Sequence, residues 1–196
     1  MCERYCTLSK KDLKCAQALV ETGFDVNAYT DENGATILHN ILGEHLGKTY
    51  TLEDKKADVK WLLDNFNVNP NMQYFQIHFE GPMGLIYRWM VEDTRPPIFQ
   101  VLREKKHDVE LLKILIDKGA DVNIKTLRIG RTPLSEAYGE NNYEAFKLLL
   151  DRGADPCIET RSGSSVYKGI MINKEKDPYY SLINDKNIED SVTSFL

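Results

Sequence analysis

One phrase occurs twice in this chain, LLKILIDKGAD from Leu111 and FKLLLDRGAD from Phe146, and the glycines within it, Gly119 and Gly153, lie 34 residues apart. Nothing else in the sequence restricts the fold as strongly. A self-similar period of this size marks a supersecondary unit too small to bury its own apolar face, so the copies must stack into a solenoid. The spacing predicts helices over Asp108–Lys118 and Tyr143–Arg152, with Val109, Leu112, Leu115 and Ile116 on one apolar face and Ala145, Leu148, Leu149 and Leu150 on the other. Each helix is expected to stop at its glycine. A sharp helix end places the next residue in the left-handed region, which glycine enters without steric cost.

Between the copies the polar stretch NIKTLRIGR, Asn123 to Arg131, reads as a short hairpin, and Thr132-Pro133-Leu134 as the re-entry into helix. Threonine can cap that helix, and proline suits its first position because the N–H there needs no partner. The offsets of Gly130-Arg-Thr-Pro-Leu134, of Leu149-Leu-Asp-Arg-Gly-Ala-Asp155, and of Val122-Asn123 after the earlier copy resemble the ankyrin repeat. That resemblance implies an all-α ankyrin-repeat solenoid of about five helix-pair units with short β-hairpin fingers and irregular inserts.

On this template the chain divides into units at 1–27, 28–71, 72–123, 124–157 and 158–196, all within one domain. In the first, Asp12 can cap a helix carrying Leu13, Ala16, Leu19 and Val20, and Gly23 and Asn27 share the offsets of Gly119 and Asn123. In the second, Gly34-Ala-Thr-Ile-Leu-His39 follows the family phrase with Ile37 in place of proline, and a helix over 57–66 ends at Asn67. Asparagine is the next-best residue for a left-handed cap. About ten extra residues around GEHLGKTYTLEDKK separate the two helices, a length that costs little closure entropy. Trp61 falls in the slot of Lys113 and Lys147 on the outer face, so Leu46, Tyr50 or Leu52 is expected to cover it; the alternative is a partner-binding aromatic. In the fourth unit Ser135 replaces the family histidine, and Cys157 stands in the slot of Asn27, Asn71 and Asn123. The fifth starts with Gly163 and Tyr167, then loses the pattern in a stretch suited to a capping helix with Leu182, Ile183, Ile188 and Val192.

The third unit is the most altered, because its approach, Met72 to His107, is about 16 residues longer than the template. In one register Pro97-Ile98-Phe99 opens the first helix and Met72 to Arg95 is an elaborated finger. In the other, Gly81 and Leu85 take the slots of Gly130 and Leu134, and the extra residues fall between the helices. The first needs only about two extra residues between Pro97 and Gly119, which favours it. The insert concentrates Tyr74, Phe75, Phe79, Tyr87 and Trp89 with three methionines. Such a density builds either a small satellite core or the centre of an interface.

With 196 residues, 42% of them hydrophobic, the chain can bury one real core. A formal charge of −5, with acids and bases interspersed, argues against nucleic acid as partner. No apolar run is long enough for a membrane span, and the charged start MCERYCTLSKKD is unlike a signal peptide. An intracellular, cytoplasmic location is therefore the expectation, in a host cell if the protein is a viral or secreted one. Cys2, Cys6, Cys15 and Cys157 lack the density of a disulfide scaffold, and Cys2 and Cys6 lack a second close ligand pair, so thiols without a metal are expected.

His39 sits beside Glu44 in the Thr-x-Leu-His phrase, and the resemblance implies a structural hydrogen-bonded tie there, with no nucleophile or second base at a recognisable offset. No phosphate-binding loop is present and no cofactor is expected. Repeat arrays make extended binding surfaces, so the expected function is a non-catalytic module that binds, sequesters, inhibits or recruits another protein. The residue types that dominate interfaces point to Tyr74, Phe75, Tyr87, Arg88, Trp89 and Arg95 in the insert, with Lys125, Arg128 and Arg131 on the finger. The irregular inserts resemble those of small viral or bacterial ankyrin proteins aimed at a host factor, or of a toxin-neutralising protein. The alternative is an enzyme whose active-site loop is the insert, which would require His78, Glu80, Glu92, Asp93 and His107 to converge.

Overall fold

The structure, a computed structural model, describes residues 22–23, 25–28, 35–43, 51–73, 95–103 and 108–184. Its helices are α1 (Ile37–Leu42), α2 (Leu52–Asn65), α3 (Pro97–Arg103), α4 (Val109–Asp117), α5 (Pro133–Gly139), α6 (Tyr143–Asp151), α7 (Val166–Ile172) and α8 (Tyr180–Asn184). They pair in sequence order, α1 with α2, α3 with α4, α5 with α6 and α7 with α8. The first members of the pairs pack on one another as one row, and α4 packs on α6 in a second row.

Helices α4 to α7 begin where a short polar side chain takes unsatisfied N–H groups of the first turn. Asp108 accepts from Glu110 and Leu111, Asn142 from Ala145, Thr132 from Ser135 and Ser165 from Lys168. Helices α4 and α6 end alike. The Ala120 N–H bonds to the Leu115 carbonyl and the Gly119 N–H to that of Ile116, and Ala154 and Gly153 repeat the pattern on Leu149 and Leu150. This double closure requires the left-handed backbone seen at Gly119 and Gly153, with φ of +93° and +86°.

Helix α2 departs from the expectation at both ends. It starts at Leu52, within the stretch read as a loop, because Thr51 and Asp54 cap it reciprocally. It ends at Phe66 in extended backbone, φ −129° and ψ 152°, with no left-handed residue at Asn67. An aromatic contact accounts for this ending: Phe66 turns back and sets its ring against Trp61, centroids 5.1 Å apart at 69°. Trp61 is thus half-buried by its own unit. Leu52 is nine residues away on the same helix, about 13 Å along its axis, and Leu46 and Tyr50 lie outside the described residues.

The core is one continuous cluster running from Val26 to Ile183. Leu112, Leu115, Ala145, Leu149 and Leu150 are buried as the spacing predicts, but Leu111 and Phe146 are buried too, while Val109, Ile116 and Leu148 are only half-buried. The α6 face is rotated toward α5. Phe146, Tyr138 and Tyr143 there gather around Tyr179, which is 3% exposed and leads into α8, where Ile183 is buried; Ile188 and Val192 of the expected capping stretch lie outside the described residues.

Helix α3 begins at Pro97, with Pro97, Ile98 and Phe99 buried, as the first of the two registers requires. The strand-paired fingers expected of the hairpins are not found: no residue among those described is in a strand. At the finger after α4, the Thr126 N–H bonds to the Arg131 carbonyl, but the Arg131 N–H is taken by the Thr126 hydroxyl. A side chain thus replaces the reciprocal backbone bond, and the finger closes as a turn.

Candidate functional site

Two sets of repeated contacts tie unit to unit and thereby set the surface the array presents. The first is a ladder of asparagines. Asn27, Asn71 and Asn123 each donate through Nδ2 to a carbonyl at the end of the next unit's second helix, those of Asn67, Gly119 and Gly153, at 2.8, 2.9 and 3.1 Å. Each Oδ1 accepts the N–H of Asn69, Asp121 or Asp155 in return. Cys157, in the corresponding slot, keeps the local bond from its N–H to Asp155 but has no amide to extend the ladder. Burial and the nearby Asp155 carboxylate push its thiol pKa up, which favours the protonated thiol at neutral pH.

The second set is ionic. Lys56 on α2 reaches Asp108 at 3.0 Å and Glu110 at 2.6 Å, across to the start of α4, and Lys118 pairs with Asp64. Arg152 pairs with Asp117 at 2.5 Å. On the first-helix row, Glu136 of α5 is 3% exposed and is held by Arg103, at the end of α3, and by Arg131 of the finger at 3.3 Å. A buried carboxylate is stable only with such partners. Lys55, also buried, donates to the Leu42 carbonyl at the end of α1, where the helix dipole favours a cation. The sequence analysis singled out neither buried charge; the one signal that could have found Glu136 is an isolated acid inside the apolar opening of α5.

His39 is structural in its geometry. Its Nδ1 accepts from the Thr36 N–H and faces the Thr36 hydroxyl, at 3.2 and 2.8 Å, so its Nε2 carries the proton that goes to the Arg95 carbonyl at 3.0 Å. It is 1% exposed and binds α1 to the entry of α3. Ser135, in the same slot of α5, bonds only within its own unit, to Thr132.

Of the candidate binding residues, Lys125, Arg128 and Arg131 are exposed on the finger between α4 and α5. Lys125 donates to the Glu159 carbonyl at 2.7 Å, and Arg131 belongs to the Glu136 cluster. The next finger packs against this one: Arg161 donates its N–H to the Ile129 carbonyl at 2.9 Å and its guanidinium to that of Leu127 at 2.7 Å. Gly130, at φ +78°, is pressed so close that a Cβ would lie 3.3 Å from the Arg161 nitrogen. Glu159 is paired with Lys168 at 2.5 Å; that bond, with Lys125 adding at longer range, holds its carboxyl below the usual range. Leu127 and Ile129, which the sequence reading did not single out, stand exposed at the tip. Arg95 is half-buried at the entry to α3. Tyr74, Phe75, Tyr87, Arg88 and Trp89 lie outside the described residues, as do His78, Glu80, Glu92, Asp93 and His107.

Among the described residues, no group of three or more histidines, cysteines or carboxylates is arranged around a possible metal ion, and no helix is long and apolar enough to cross a membrane. The family model for ankyrin repeats (3 copies) matches residues 54–160, more than half of the chain. The chain belongs to the ankyrin-repeat proteins. A comparison with curated proteins found no match. The matched stretch runs from the first turn of α2 to the finger before α7, so it takes in the cleanest copies, the Asn71 and Asn123 rungs of the ladder and the ion pairs from Lys56 to Arg152. An ankyrin-repeat array is a protein–protein interaction module, typically without catalytic activity.

Proposed function

We propose that this ankyrin-repeat chain holds one partner protein, sequestering, inhibiting or recruiting it, through the concave side formed by the first-helix row and the fingers together with the insert at 72–106. The observation that carries the reading is the cross-unit bonding described above. Asparagine ladder, ion pairs and the His39–Arg95 contact bind successive units into one body, so the finger and first-helix surfaces are pre-organised for a partner without a folding cost at binding. The insert adds Tyr74, Phe75, Tyr87, Arg88, Trp89 and Arg95, residue types that carry interface energy. No catalytic constellation is part of this reading. Such a chain acts inside a cell, as a viral or bacterial factor on a host protein or as an immunity protein on a toxin.

The test is affinity capture from the native cell with mass spectrometry, followed by an alanine scan against the captured partner. Variants at Tyr74, Phe75, Tyr87 and Trp89 should lose about 2 kcal/mol or more of binding with unchanged melting. Normal binding by all four, or loss only through unfolding, would place the binding surface elsewhere.

A further inference from the structure

The finger between α4 and α5 combines three properties that folding alone does not require. First, four large hydrophobic side chains among the described residues are exposed, and two of them, Leu127 at 51% and Ile129 at 39%, stand two positions apart at this one tip. Their apolar surface stays in water unless something covers it. Second, the backbone beneath them is pinned: Arg161 takes the carbonyls of both residues, and the Gly130 N–H bonds to the Thr126 carbonyl at 3.0 Å. The tip is a fixed shape. Third, the chain is acidic while this region is basic. Segments 124–131 and 158–165 carry four basic residues and one acidic one, against a formal charge of −5 for the whole; with Arg131 paired to Glu136, the cations left at the tip are Lys125, Arg128 and Arg161. Lys125 and Arg161 are held by carbonyl oxygens, which position a cation without cancelling its charge, and the one carboxylate, Glu159, is bonded to Lys168.

We propose that the fingertip Leu127–Ile129, flanked by Lys125, Arg128 and Arg161, docks an acidic segment of a partner protein that carries a large apolar side chain. This rests on the interaction-module reading above and gives the partner its chemistry. The apolar pair supplies the contact that resists dissociation, and the surrounding cations steer an acidic segment to it and repel basic ones. The same cations would attract a nucleic-acid backbone. Neither segment holds an aromatic ring on which a base could stack, and the aliphatic tip favours a protein ligand.

The experiment selects random peptides displayed on phage against the full chain and measures the enriched peptides by fluorescence anisotropy. They are titrated into wild type, the fingertip variant L127S/I129S, the charge variant Arg128→Glu and an insert variant, Trp89→Ala; fluorescent oligodeoxythymidine is titrated alongside. The expected result is enrichment of net-negative peptides with at least one large apolar residue, binding about tenfold or more weaker to the fingertip and charge variants while their circular dichroism and melting stay unchanged. Neutral or basic winners would overturn the proposal. So would acidic winners that bind L127S/I129S as tightly as wild type, or oligodeoxythymidine binding that depends on the fingertip where no acidic peptide enriches. Winners sensitive to Trp89→Ala but not to L127S/I129S would sink the fingertip while leaving the insert reading intact. Winners with the opposite pattern would support the fingertip and remove the insert, and a selection that enriches nothing would contradict both.

Discussion

His39 donates through Nε2 to the carbonyl of Arg95, 56 residues further along the chain, and so fastens the first helix of one unit to the start of the next. The bond is part-buried and the residue is 1% exposed, so deleting the ring removes its bonds to Thr36 and to the Arg95 carbonyl and opens a void. His39→Ala should cost about 1–3 kcal/mol in urea unfolding, more than Ser135→Ala, whose hydroxyl bonds only within its unit. Equal losses for the two would show that the reach to Arg95 adds nothing.

Asn123 bonds both the Gly153 carbonyl and the Asp155 N–H, at 3.1 and 2.8 Å. Asn123→Ala should lose about 1–2 kcal/mol, and Asn123→Asp should also lose stability, since a carboxylate keeps the acceptor but turns an oxygen toward the Gly153 carbonyl. Equilibrium unfolding of the two variants checks this, and an Asp variant as stable as wild type would mean the donated bond is unimportant.

The burial pattern separates neighbours that sequence periodicity grouped together. Leu115→Ala and Leu149→Ala remove fully buried side chains and should cost about 2–5 kcal/mol, and Phe146→Ala about 3–5 kcal/mol. Leu148→Ala, at a half-buried position, should cost less than Leu149→Ala in the same denaturant titration.

Tyr138 donates its hydroxyl to Asp177 at 2.6 Å, and burial, reinforced by that carboxylate, pushes its pKa from 10 up to about 12. The folded pKa lies above the unfolded one, so this group's stabilisation is full below pH 10 and is lost as pH rises from 10 through 12. Tyr138→Phe should therefore make stability fall less steeply with pH in that window. Tyr179, raised in the same direction by burial, leaves a residual slope. Phenolate absorbance and melting followed together against pH test both statements.

The repeat phase was legible because its markers are local: Gly119, Gly153, Thr132 and Pro133 each answer a backbone requirement that one residue type meets best. What was missed depends on non-local contacts. Phe66 closes its helix by folding onto Trp61, and a template that expects a cap at Asn67 has no term for a ring five residues earlier. The run Phe146 to Leu150 is apolar at four of five positions, so periodicity alone could not choose which of them faces α5. Glu136, Lys55 and Tyr179 are buried by partners distant in sequence, Arg103, the Leu42 carbonyl and the α5–α6 pair, which no local pattern encodes. On the candidate site, the finger cations were visible in the sequence, but their attachment to Glu159, Leu127 and Glu136 was not, nor was the exposure of Leu127 and Ile129.

Hydrogen–deuterium exchange by mass spectrometry, on the chain alone and with its captured partner, tests the central claim most directly. The binding account predicts new protection in the finger at 124–131, in the first helices α3 and α5 and in the insert at 72–106, with α4 and α6 unchanged. Protection centred on α4 and α6 with the finger and insert unaffected would contradict it.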